Sequence, residues 1–143
     1  MPEGICCAAK LVNRGYTMSD PHEWRVLIVE DQEDSIQVVS QILDYYGIQV
    51  AVARNGRECL ELLRTIRPTL VVMDLAMPEM DGWATLAQIR GNAATANLIV
   101  VAITAYHSVN VAEEALSAGF DAYFPKPPDA ISFVDKLTEV MRV

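Results

Sequence analysis

The sequence predicts an α/β domain built on a parallel sheet with helices on both faces, and three observations carry that expectation. From Arg25 onward, short β-branched runs alternate with segments of helical period, the pattern of parallel strands joined by crossover helices. Several of those runs are apolar throughout, as strands covered on both faces are. The residues that follow them are acids, a hydroxyl and an amine, and in open parallel sheets ligands bind where the strands end.

The first strand is read at Val26 to Val29. Ile36, Val39, Ile42, Leu43 and Tyr46 then recur at steps of three and four, one apolar stripe on a first helix that stops at Gly47. A second helix is opened by Asn55-Gly56 and closed before Pro68, which disfavours helix at Arg67. Its inner face is Cys59, Leu62, Leu63 and Ile66, which makes Cys59 a core residue and not a reactive thiol. Leu70 to Met73 is a central strand, followed by a helix from Gly82 to Arg90. Leu98 to Ile103 is another, followed by a helix from Val109 to Gly119. A strand at Ala122 to Phe124 leads to a last helix from Ala130 to Arg142, with Ile131, Val134, Leu137 and Met141 inward. Five strand-helix units result, with no internal repeat, low-complexity run or linker.

Composition bounds the function. At 143 residues, 52% of them hydrophobic, and a mean hydropathy of +0.20, the chain has ample material for one core. Its longest apolar stretches fall far short of the roughly 20 residues that span a bilayer, so no membrane segment is expected. A formal net charge of −8 works against direct DNA binding, which selects for clustered Lys and Arg. Cys6, Cys7 and Cys59 make an odd count without metal-ligand spacing, so disulfides are not implied and a reducing cytoplasm fits. The apolar patch Ile5 to Ala9 follows an acidic Glu3 and lacks the form of a secretory signal. Residues 1–22 read as an N-terminal tail, flexible or an upstream start-site extension because Met18 opens Ser19-Asp20-Pro21, and residues 23–143 as the folded domain. The sequence reading expects no output domain, so any output would be borrowed from another protein.

Strand one ends in Glu30-Asp31, strand three in Asp74, strand four in Thr104, and strand five runs through Pro125 into Lys126. Three carboxylates held together repel one another unless a cation joins them or one takes up a proton. Magnesium suits such a set, since it prefers oxygen ligands and is held by one or two carboxylates plus a phosphate oxygen, with manganese as an alternative. Asp31 and Asp74 would bind directly, with Glu30 nearby or through water. A carboxylate is also a nucleophile toward phosphorus, and Lys126 and the metal would then offset the charge of the transferred group while Thr104 donates a hydrogen bond to it. The small Ala105 leaves room for that group. Each member has a plainer reading: an acid ending a strand caps the next helix, a threonine fills a turn, a lysine is a solvated charge. The concurrence of all four positions carries the inference.

These residues resemble the response-regulator receivers of two-component signalling, the CheY-like group with flavodoxin-like strand order 2-1-3-4-5. The resemblance spans Arg25 to Arg142 and rests on Val29-Glu30-Asp31, the run Met73 to Gly82 (MDLAMPEMDG), Thr104-Ala105 and Lys126-Pro127. The intervals are 43 residues from Asp31 to Asp74, 30 to Thr104 and 22 to Lys126. The resemblance implies that Asp74 is the phosphoacceptor, that Asp31 and the backbone carbonyl of Ala76 complete the metal site, and that Lys126 contacts the phosphate through a cis Lys126-Pro127 bond. It further implies Thr104 and Tyr123 as switch residues, and Ala76 and Tyr106 as positions that tune phosphoryl lifetime; His107 reads as a surface loop residue. Pro125 and Pro128 depart from the family pattern. The implied partners are a sensor histidine kinase or histidine phosphotransfer protein and a downstream protein recognising helix 4, strand 5 and helix 5, with the receiver a monomer or a dimer formed on phosphorylation. Such a protein is a signalling phosphoacceptor and not an enzyme acting on other substrates.

Three other readings meet obstacles. A phosphatase of the haloacid-dehalogenase type needs a second acid where Ala76 stands. A pure interaction module with this fold often lacks the acidic pair or the lysine, and here all are present. A flavin phosphate would meet the acidic loop Glu30-Asp31-Gln32-Glu33-Asp34.

Overall fold

The computed structural model describes residues 21–106 and 108–141. Five strands, β1 (Arg25–Val29), β2 (Gln49–Ala53), β3 (Leu70–Asp74), β4 (Val100–Thr104) and β5 (Ala122–Pro125), form one sheet. All four pairings are parallel and the order is β2-β1-β3-β4-β5, as the resemblance implied. Five helices connect or follow them: α1 (Glu33–Tyr45), α2 (Gly56–Leu62), α3 (Gly82–Arg90), α4 (Val109–Ala118) and α5 (Ala130–Met141).

Alternation along the strands divides the core. Val26, Ile28, Leu70, Val72, Val101 and Ile103 point to one face, where Val39 and Leu43 of α1 and Phe133, Val134, Leu137 and Met141 of α5 cover them. Leu27, Val29, Val71, Met73, Val100 and Ala102 point to the other, against Cys59 of α2, Leu86 and Ile89 of α3 and Ala115 of α4. Cys59 is fully buried, and that burial pushes its thiol up to about 12, so it stays protonated. Helix ends follow local chemistry. The side chains of Asn55, Asp81 and Ser108 accept backbone N–H bonds at the starts of α2, α3 and α4. Gly119 ends α4 at φ 117°, a conformation that favours glycine.

One inward assignment is corrected. Ile131 is 71% exposed, and Phe133 takes its place in the core, its ring 4.8 Å from that of Phe124 between centroids. At about 100° per residue, Phe133, Val134, Leu137 and Met141 share one arc of the helix, and Ile131 falls past its edge toward solvent. Pro21–Glu23 form a 3-10 turn that leads into the buried Trp24; the rest of the expected tail, with Cys6 and Cys7, lies outside the described residues, as does His107.

Candidate functional site

The sheet register assembles the site. Val29 of β1 lies opposite Met73 of β3, Asp74 opposite Ile103 of β4, and Thr104 opposite Pro125 of β5. The next residues out therefore meet on one edge. Backbone bonds carry the ladder past the strand ends: the Lys126 N–H donates to the Thr104 carbonyl at 2.9 Å and the Leu75 N–H to that of Ile103 at 3.1 Å.

Glu30, Asp74 and Thr104 are 2%, 3% and 2% exposed. The Lys126 Nζ sits 2.6 Å from Glu30 Oε1 and 3.4 Å from Asp74 Oδ2, so one cation serves two buried acids. The other Glu30 oxygen accepts from the Gln32 N–H (3.2 Å), and Asp74 Oδ1 accepts from the Ala76 N–H (3.2 Å). Burial pushes the Glu30 carboxyl up to about 7; Lys126 pulls against that rise while Asp74 adds to it.

Asp31 differs from its neighbours. Its Oδ1 is covered yet has no hydrogen-bond partner among the described residues, a costly state for a carboxylate oxygen. One oxygen each from Glu30, Asp31 and Asp74 lie within 4.8 Å of one another. Hard oxygen donors, an unclaimed carboxylate oxygen and excess negative charge fit a magnesium ion, with Asp31 better placed to ligate than Glu30, both of whose oxygens are engaged.

A family model described as response regulator receiver domain matches residues 26–138. The chain belongs to that family. Receiver domains are the signalling phosphoacceptors of two-component systems. Among curated relatives, the receiver is 36% identical to an uncharacterised 14.6 kDa protein of Leptolyngbya boryana over 76% of this chain and 83% of that one. It is 30% identical to the polar-differentiation response regulator DivK of Brucella anthropi, over 78% of this chain and 91% of DivK. The regulatory protein AtoC of Escherichia coli is 38% identical over 73% of this chain, which spans only 22% of AtoC's length. Among solved structures, chemotaxis protein CheY4 of Vibrio cholerae superposes with a TM-score of 0.76 at 26% identity, covering 82% of this chain and 98% of that one. The signal receiver domain of a histidine kinase from Syntrophus aciditrophicus superposes with a TM-score of 0.74 at 29% identity, over 82% and 89%.

The remaining positions singled out in the receiver's sequence fall around this edge. The Thr104 Oγ1 accepts from the Tyr106 N–H at 3.1 Å, which leaves its own proton to donate. The Tyr106 side chain is 76% exposed, and Ala76 and Ala105 are exposed. Tyr123 packs against the α2–α4 side of the core. Its hydroxyl is covered and faces the Ser108 backbone without completing a well-formed hydrogen bond, and burial raises its pKa. The Lys126–Pro127 bond is cis.

Two contributors escaped the sequence reading. A Cβ on Gly82 would lie 2.5 Å from the Asp74 carbonyl oxygen and 2.9 Å from the Leu75 Cα, so α3 starts directly against the backbone that carries Asp74. Gly82 was read only as a helix start and motif residue; a glycine eight positions after a strand-ending acid was the available signal. Arg90 ties loops together, donating to the carbonyls of Ala96, Leu98 and Gly119 and pairing with Asp121 at 3.1 Å. Nothing in its spacing announced that role. No helix among the described residues is long and apolar enough to cross a membrane.

Proposed function

We propose that this receiver accepts a phosphoryl group on Asp74 from a histidine kinase or histidine phosphotransfer protein in the cytoplasm. The observation that carries the reading is the buried Asp74 carboxylate, 3.4 Å from the Lys126 ammonium, beside an Asp31 oxygen with no donor among the described residues. An Asp74 oxygen attacks phosphorus, forming the P–O bond of an acyl phosphate as the P–N bond of the donor phosphohistidine breaks, and the imidazole leaves with the electron pair. No general base is required, because a carboxylate nucleophile has no proton to give up on attack. Lys126 moves its charge from Glu30 and Asp74 toward the incoming oxygens, and the Thr104 hydroxyl donates to one of them. Magnesium, held by Asp31, Asp74 and the carbonyl of Ala76, would neutralise charge on the transferred group.

The readout follows from Thr104. Drawing its hydroxyl toward the phosphoryl group breaks the bond it accepts from Tyr106, and loosens the β4–α4 loop against which Tyr123 rests. The surface of α4, β5 and α5 then changes for a downstream protein. Swinging this equilibrium from 1:99 to 99:1 requires about 5.5 kcal/mol of preference, within reach of a metal-bound dianion paired with a lysine. Ala76 and Tyr106 flank the approach of water and set how long the phosphoryl group lasts.

Incubation with acetyl phosphate and magnesium, followed by intact-mass analysis, tests the assignment. One phosphoryl adduct is expected on the wild type and none on Asp74→Asn. An adduct that persists in the variant would overturn it.

A further inference from the structure

At the end of the sheet opposite the carboxylates, three cavities adjoin. The largest, about 590 Å³, lies between α2 and α3, over Leu60, Leu63 and Ala87. A second, about 210 Å³, shares Leu63, Arg67, Ala94 and Thr95 with it and runs to Leu98, just before β4. A third, about 160 Å³, shares Ile66, Arg67 and Pro68 with the second and reaches Arg25 and Gln49 at the starts of β1 and β2. Together they make a trough along the amino ends of the strands.

The charge in this trough is inverted relative to the rest of the molecule. The chain carries 19 acids against 11 Lys and Arg, yet every charged residue lining the three cavities is an arginine: Arg25, Arg64 and Arg67. Arg67 lies in the connection from α2 to β3 and is fixed there by its Nη1, which donates to the carbonyls of Leu63 (2.7 Å) and Ile66 (3.1 Å). The Arg64 side chain makes no hydrogen bond or ion pair among the described residues and is exposed; only its backbone N–H is engaged, donating to the Glu61 carbonyl at 3.2 Å. Apolar floor and cationic rim are thus combined in one groove, on a surface that the phosphoryl chemistry does not use.

We infer that this trough docks an acidic peptide segment of a partner protein, with apolar side chains entering between α2 and α3 and carboxylates meeting Arg64 and Arg67. Charge complementarity selects the occupant. A nucleic acid or an anionic bilayer extends well past the trough and meets the net charge of −8, whereas a short segment held in it meets the arginines at contact and the more distant acids through about 8 Å of screening. Strands of five residues separate the trough from the carboxylate edge by about 17 Å, so both ends can be occupied at once.

The probe is a random-peptide phage library panned on the full chain, with the enriched peptides synthesised and titrated by fluorescence anisotropy against wild type, Arg64→Glu and Ala87→Glu. Both substituted side chains are exposed, and unchanged labelling by acetyl phosphate reports that the variants fold. The enriched peptides are expected to combine acidic with apolar residues, to lose at least about tenfold in affinity to each variant, and to shift amide resonances at Leu60–Arg67 and Ala87–Leu98. Failure to enrich acidic peptides, equal affinity for the variants, or shifts confined to other surfaces would overturn the proposal. So would Arg64-dependent binding only to duplex DNA, to phosphatidylserine vesicles or to a second copy of the chain.

Discussion

Glu30 gives the site a measurable pH signature in the absence of metal. Its carboxyl is pushed from an ordinary 4.5 up to about 7, chiefly by burial, with Lys126 opposing the rise and Asp74 adding to it. An acid whose folded-state pKa is raised binds more protons folded than unfolded between the two values. Its stabilising contribution is therefore complete below about pH 4.5 and is lost as pH climbs through about 7. The interval between those values, at about 1.36 kcal/mol per pH unit, bounds the loss near 3 kcal/mol, and some hydration of the edge reduces it to about 2. Urea unfolding in EDTA, from about pH 5 to about pH 8, measures it as the difference between wild type and Glu30→Gln. The neutral amide lacks the titration, so Glu30→Gln should gain about 2 kcal/mol on the wild type across that range. Added magnesium should shrink the difference, because a cation beside the acids favours their ionised forms. Parallel curves for the two proteins in EDTA, or a wild type that gains on the variant as pH rises, would refute the account of Glu30.

Two further outcomes test the supports of the site. Lys126→Met strands two buried carboxylates, so in EDTA at about pH 8 it should cost about 3 kcal/mol by urea unfolding, and less at about pH 5 where Glu30 holds a proton. Gly82→Ala forces a methyl against the Asp74 and Leu75 backbone; it should destabilise by about 1 to 3 kcal/mol and slow acetyl phosphate labelling, both measured on the same preparation.

The central strands were legible because they are buried on both faces, and the first, second and last helices because each carries an apolar stripe; the edge strand β2, mostly half-buried, was given no residues from the sequence. The carboxylate edge was legible for a related reason. Parallel pairing with simple register places every strand-ending residue at the same level, so Glu30, Asp74, Thr104 and Lys126 had to meet once the strands were found. What was not legible depends on distances across the fold. Ile131 stands three residues before Val134 but falls past the edge of the arc that Phe133, Val134, Leu137 and Met141 bury, and spacing alone does not say where that arc ends. The same limit hid Gly82, whose role is the space it leaves beside Asp74, and Arg90, whose four backbone and side-chain partners come from the segment just after α3 and from the distant loop before β5.

The partition of ligands at the acidic edge also needed coordinates. Sequence order makes Glu30 and Asp31 equivalent neighbours, and both follow a buried strand. The structure separates them by what already claims their oxygens. Glu30 is satisfied by Lys126 and the Gln32 N–H, whereas Asp31 presents a covered oxygen without a donor among the described residues. A cation that arrives at this edge therefore gains most from Asp31, while Glu30 is the acid that can hold Lys126 in reserve until a phosphoryl group draws it away. On that division of labour, Glu30→Gln weakens restraint on the lysine and Asp31→Asn weakens the metal, so magnesium affinity should fall much further in the second variant than in the first.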